Sequence, residues 1–114
     1  LGDASFGMVG MDLETAVRMG IPTLTVLVNN EGTGGGLMGM DSPTGPPPDM
    51  AKLTGNWSVV AQGLGAYSER VEDPLEVGPA LQRAITATEN GQAALVEIMI
   101  KPMATPNTPD DWTI

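Results

Sequence analysis

The chain has no cysteine and no histidine among its 114 residues. Disulfides, thiolate nucleophiles, Cys/His zinc sites and a Ser-His-Asp triad within this chain are therefore excluded. The lack of cysteine is compatible with a reducing compartment, and the cytoplasm is the expected location. Basic residues are scarce, 5 against 14 acidic ones, which leaves a formal net charge of -9. Such a surface repels a nucleic-acid backbone or an anionic membrane, so neither is expected as a partner. An anionic ligand would need a metal ion or backbone N–H groups to offset the repulsion. No apolar run approaches membrane-spanning length, and no charged-then-apolar leader is present.

What is present suits one globular domain: 41% hydrophobic and 17% charged residues, over a length that allows a single core. The spacing of Val9, Leu13, Ala16 and Val17 predicts a helix from about Gly7 to Gly20, stopped by Gly20 and Pro22. "PTLTVLVNN" follows, and Leu24 to Val28 read as a strand buried on both faces, the parallel-sheet pattern. A strand ending at Leu1 would complete a βαβ unit. Glu31 to Lys52 is a long Gly- and Pro-rich stretch with no period. Trp57, Val60, Ala61 and Leu64 mark a second helix, and Tyr67 to Val71 a short strand. Asp73-Pro74 starts a third helix, carried by Leu75, Leu81, Ala84 and Ile85 to a stop at Gly91, with a break or restart expected at Gly78-Pro79. "AALVEIMI" is a last buried strand. The order is that of an α/β fold, doubly wound, with a mostly parallel sheet flanked by helices. The domain is expected to be incomplete, spanning residues 1–102, with a surface tail over 103–114.

In such sheets ligands bind beyond the carboxyl ends of the strands. Asp3 follows the expected first strand and Asn29 to Gly32 follow the second, so "GDAS" and "NNEG" land at one sheet edge. The Asp3 carboxylate, the Asn30 amide oxygen and the Gly32 carbonyl are ligand types that Mg²⁺ takes. Ala4 and Ser5 lie where free N–H groups and the helix dipole favour a phosphate. Gly32, Gly34, Gly35 and Gly36 would allow close backbone approach to the same anion. Each piece alone also reads as ordinary turn chemistry: an N-capped strand-to-helix turn, a strand-end Asn-Asn, a flexible glycine loop. Only the order makes the pattern specific.

That order, Gly2-Asp3-Ala4, one helix, one buried strand, then Asn29-Asn30, closely resembles the cofactor-binding motif of thiamine diphosphate-dependent enzymes. Ala4 stands where the family usually has Gly, which fits if its φ is negative. The segment "MAKLTGNWSVVAQGLGAYSERVEDPLEVGPALQRAITATENGQAALVEIMI" is similar to the C-terminal part of acetolactate-synthase-like members. The resemblance implies Asp3, Asn30 and the Gly32 carbonyl as Mg²⁺ ligands. Gly2, Asp3, Ala4, Ser5, Asn30, Gly32, Thr33 and Gly34 would form the thiamine diphosphate cradle, with Ala4 and Ser5 donating to the diphosphate.

The resemblance further implies a 2-keto acid substrate, decarboxylated or joined to a second carbonyl compound, with the cofactor carrying the hard chemistry. The glutamate that the family needs at the aminopyrimidine comes from another domain, so no catalytic residue is assigned here. The implied partner is the remainder of the enzyme, a pyrimidine-binding domain in the same or a neighbouring chain, and the full-length protein is expected to be a homo-oligomer. The chain is read as a piece of a longer protein, silent alone. A module binding another phosphorylated ligand and a remnant without cofactor stay open as alternatives. Met38 and Met40 read as pocket or packing residues, and Trp57, Tyr67 and Trp112 as packing residues. Glu14 reads as a solvated helix residue.

Overall fold

A computed structural model describes residues 1–32 and 52–100. Its first helix, α1, is Asp3–Val9 and its second, α2, is Asp12–Met19. The single helix expected from Gly7 to Gly20 therefore starts earlier and is broken at Gly10 and Met11. Gly10 lies hard against Phe6, where a Cβ would come within 2.6 Å of the Phe6 ring and carbonyl. Only a residue without a side chain fits that turn. Phe6 is buried and Val9, placed in the expected apolar stripe, is exposed. Leu13 is buried and Ala16 and Val17 pack beside it, as the spacing predicts. Gly20 closes α2 in the left-handed conformation, φ 64°, its N–H turned back to the Ala16 and Val17 carbonyls.

The remaining elements are β1 (Leu24–Asn29), α3 (Trp57–Gly63), β2 (Tyr67–Val71), a 3₁₀ turn (Pro74–Glu76), α4 (Val77–Glu89) and β3 (Ala94–Met99). Asp73 accepts the Leu75 N–H at 2.9 Å, which caps the Pro74 turn. The helix restarts beside Gly78-Pro79, as expected: the 3₁₀ turn gives way to α4 at Val77, and Pro79 falls in the first turn, where the N–H that proline lacks has no intrahelical acceptor.

The three strands form one parallel sheet in the order β1-β3-β2, with Leu24 and Tyr67 both opposite Ala94. Helices cover both faces. Phe6, Leu13 and Ala61 pack with Leu27 and Leu95 on one side, and Ala80 and Ala84 of α4 pack with Val71, Ala94 and Val96 on the other. Leu27 and Leu95 are fully buried, and each contributes roughly 1.5–3 kcal/mol by leaving water. β1 is less enclosed than its composition suggests: Val28 is exposed and Leu24 to Val26 are half-buried. Its outer side is paired, among the described residues, only by Leu1 and Gly2, through bonds of 3.0 Å to the Val26 carbonyl and 2.8 Å from the Val28 N–H.

Gly32 and Lys52 form an antiparallel bridge, and the Leu53 N–H reaches the Glu31 carbonyl at 3.0 Å, so the chain leaves and rejoins the body at one place. Among the described residues no helix is long and apolar enough to cross a membrane.

Candidate functional site

β1 ends at Asn29, and the next three residues fold into a turn built by their own side chains. Asn29 Oδ1 accepts the Glu31 N–H at 2.8 Å, and Asn30 Oδ1 accepts the Gly32 N–H at 3.2 Å. Both bonds span two residues, the short-range bonding by which asparagine mimics a backbone turn. Glu31 between them has φ 56°, a left-handed conformation that costs a side-chain-bearing residue about 1–2 kcal/mol. The turn also directs the Gly32 N–H to Asp3 Oδ2, at 3.1 Å. An acidic oxygen from the start of α1 and an amide oxygen from the end of β1 thus sit side by side over one peptide. Asp3 is only 2% exposed.

Six of the eight expected site residues, Gly2, Asp3, Ala4, Ser5, Asn30 and Gly32, line one cavity of about 300 Å³ beyond the carboxyl ends of β1 and β3. Thr33 and Gly34 lie outside the described residues, as do Gly35, Gly36, Met38, Met40, the rest of the loop over 33–48, Trp112 and the tail over 103–114. The first turn of α1 faces this cavity with no side chain capping it, and its leading N–H groups have no intrahelical acceptor. Ala4 is helical, and Glu31 is the only non-glycine residue of positive φ among those described, so alanine is accommodated there. Gly2 adopts φ -84°, open to any residue, and a Cβ would meet nothing within 4 Å.

The donor set fits a divalent cation shared with a phosphate. One buried carboxylate, one amide oxygen and a backbone carbonyl are hard ligands, and Mg²⁺ is usually held by one or two carboxylates plus phosphate oxygens and water. No group of three or more His, Cys, Asp or Glu side chains that could hold a metal ion stands together among the described residues. The uncapped α1 amides are donors of the kind an anion takes.

One polar residue of the site's surroundings is not apparent from composition or spacing. Glu97, in the middle of β3, is fully buried. Its carboxylate accepts Asn29 Nδ2 at 2.7 Å, the Ser58 N–H at 2.9 Å and Arg70 Nη1 at 3.4 Å. The signal lay in "ALVEIM", an acid inside an apolar strand flanked on both sides, where a charge persists only if partnered. Elsewhere, Trp57 packs edge-on to Phe6, ring centroids 5.5 Å apart. Glu14 pairs with Arg18 at the surface. Tyr67 hydrogen-bonds Glu69, whose carboxylate is gripped by Arg83 at 2.7 and 2.8 Å. The Arg83 hydrogen bonds hold the Glu69 carboxyl below the usual carboxylate range, and partial burial, followed by the Glu69 contact, raises the Tyr67 hydroxyl above its usual value.

Comparison with known proteins bears on the family and the fold. Residues 1–98 match the family described as thiamine pyrophosphate enzyme, C-terminal TPP binding domain. Human 2-hydroxyacyl-CoA lyase 1 is 29% identical over 96% of the chain and 20% of its own length. The acetolactate synthase large subunit IlvG of Mycobacterium tuberculosis is 32% identical over 89% of the chain and 18% of its own. A solved structure assigned as a thiamin diphosphate-dependent enzyme, from Mycobacterium smegmatis, shares the fold with a TM-score of 0.60 at 21% identity, over 90% of this chain and 17% of that one. The chain spans about a fifth of the length of these curated relatives. With the motif, the sheet edge and the family match in agreement, the chain belongs to the thiamine pyrophosphate enzymes, within their C-terminal TPP-binding domain.

Proposed function

We propose that this chain anchors the diphosphate of thiamine diphosphate through a magnesium ion. In this reading Asp3, Asn30 and the Gly32 carbonyl are the protein ligands. The Ala4 and Ser5 amides donate to phosphate oxygens, and Gly2, Thr33 and Gly34 complete the cradle. The observation that carries it is the meeting of Asp3 Oδ2 and Asn30 Oδ1 over the Gly32 N–H, in a cavity shared with the start of α1. The cofactor supplies, when bound, the carbon nucleophile for attack on a carbonyl, and this chain supplies position and charge. Residues 1–102 form the binding domain in this account, and 103–114 a tail.

The substrate class we favour is 2-keto acids, in decarboxylation and carboligation, supported by the likeness to acetolactate synthase. A second reading, cleavage of a 2-hydroxyacyl-CoA, is supported by the likeness to the human and rice lyases of that name. Assay of both substrate classes with the full-length protein separates them. The partner is the remainder of the enzyme, with its pyrimidine-binding domain in the same or a neighbouring chain of a cytoplasmic homo-oligomer. Exposed Met8, Val9, Met11, Met19 and Ile21 around α1 and α2 support a covered surface there.

The anchor is tested by titrating thiamine diphosphate into the full-length protein with and without Mg²⁺. Binding is expected to require the metal, and Asp3→Ala and Asn30→Ala are each expected to weaken it by at least about tenfold. Binding indifferent to Mg²⁺ and to both substitutions would leave a module for some other phosphorylated ligand.

A further inference from the structure

Glu97 stands on the central strand, away from the cavity, yet it is tied to three elements at once. Its partners are Asn29 at the end of β1, the first turn of α3 through Ser58, and Arg70 on β2. The Asn29 link is directional. That amide, 2% exposed, donates through Nδ2 to Glu97 and accepts through Oδ1 from the Glu31 N–H. A carboxylate on β3 therefore fixes which way the amide faces, and the amide fixes the left-handed turn at Glu31. The turn in turn presents the Gly32 N–H to both Asp3 and Asn30.

We infer that Glu97 is a positioning residue for the metal-binding turn, acting through Asn29. This rests on the magnesium anchor proposed above and deepens it. Groups that orient ligands from outside the coordination sphere are typically worth about 10–100-fold in metal affinity. Glu97 also caps α3, so a purely structural role would cost stability while leaving the metal requirement of the folded protein unchanged. The two roles make different demands on chemistry. A structural buttress tolerates any well-packed polar replacement, whereas the relay needs one donor facing one acceptor between positions 29 and 97.

The test uses the full-length protein, with thiamine diphosphate binding followed as Mg²⁺ is varied and the melting temperature taken without ligand. Glu97→Gln places an amide N–H against the Asn29 Nδ2 and Arg70 Nη1, which share one oxygen, or turns it onto the Ser58 N–H, so at least one donor is always opposed. The Mg²⁺ concentration for half-saturation is expected to rise about 10–100-fold. The double variant E97Q/N29D reverses donor and acceptor, and it is expected to recover most of that loss, while Asn29→Asp alone, carboxylate against carboxylate, is impaired. An E97Q protein that binds with the wild-type Mg²⁺ requirement, whatever its melting temperature, overturns the inference, as does a double variant no better than E97Q. Should E97Q not fold, Asn29→Asp is read in its place, because it keeps the acceptor for the Glu31 N–H and removes only the donor to Glu97: a raised Mg²⁺ requirement supports the inference and an unchanged one overturns it. Failure of the underlying anchor looks different, because the wild-type protein would then bind without Mg²⁺.

Discussion

Glu31 sits in a left-handed backbone conformation with its side chain in solvent, between two asparagines that hold the turn. A residue with a side chain is strained in that conformation, so Glu31→Gly is expected to stabilise the fold. Relief of about 1–2 kcal/mol is partly offset by the extra freedom glycine gains when unfolded, which leaves up to about 1 kcal/mol. A denaturant midpoint that moves upward checks this, and a downward move contradicts it. Glu69 supplies a pH prediction. Its carboxyl is held below its ordinary value by the Arg83 hydrogen bonds, so its stabilising contribution is present above the unfolded-state pKa and is lost as pH falls through the lowered folded value. Glu69→Gln is thus expected to melt below wild type at neutral pH, with the gap closing toward strong acid. The gap is small because half of the Arg83 side chain is exposed. That Asp3 and Asn30 meet at one sheet edge was legible in the sequence, because a parallel order puts the residues that follow neighbouring strands on the same side. For Glu97 only the need for a partner was legible, from an acid inside an apolar strand; which groups meet it depends on Asn29, Ser58 and Arg70 being brought in from other elements.

Among the elements, β2 was legible to the residue and β3 as a run; for β3 the signal is the apolar composition of a strand buried on both faces. The first helix was misread because periodicity cannot see the contact that breaks it: Gly10 folds onto a ring four residues back. The restart expected at Gly78-Pro79 falls one residue earlier, at Val77, because proline is tolerated only in a helix's first turn. Gly10→Ala is expected to force Phe6 and the turn apart and cost about 1–3 kcal/mol, as overpacked sites do. Its φ of -61° would suit alanine, so the cost is steric, and thermal unfolding beside a Gly63→Ala control, where a Cβ meets nothing, isolates it.

At the scale of the whole molecule, helices on both faces of a parallel sheet bring the start of α1 and the end of β1 to one cavity. Neither the charge of -9 nor the lack of histidine prevents an anionic ligand there, because the cavity offers amides and hard oxygens rather than basic side chains. What separates one thiamine pyrophosphate enzyme from another is not legible in this chain, which spans about a fifth of its curated relatives. The central claim is that Asp3, Asn30 and the Gly32 carbonyl hold a divalent ion against a diphosphate. Its most direct measurement is a crystal structure of the full-length protein grown with thiamine diphosphate and Mn²⁺, using the anomalous signal of the metal. The account predicts one peak within coordination distance of all three oxygens and of the diphosphate, lost in Asp3→Ala. A bound cofactor whose metal lies away from Asp3 and Asn30 would contradict it.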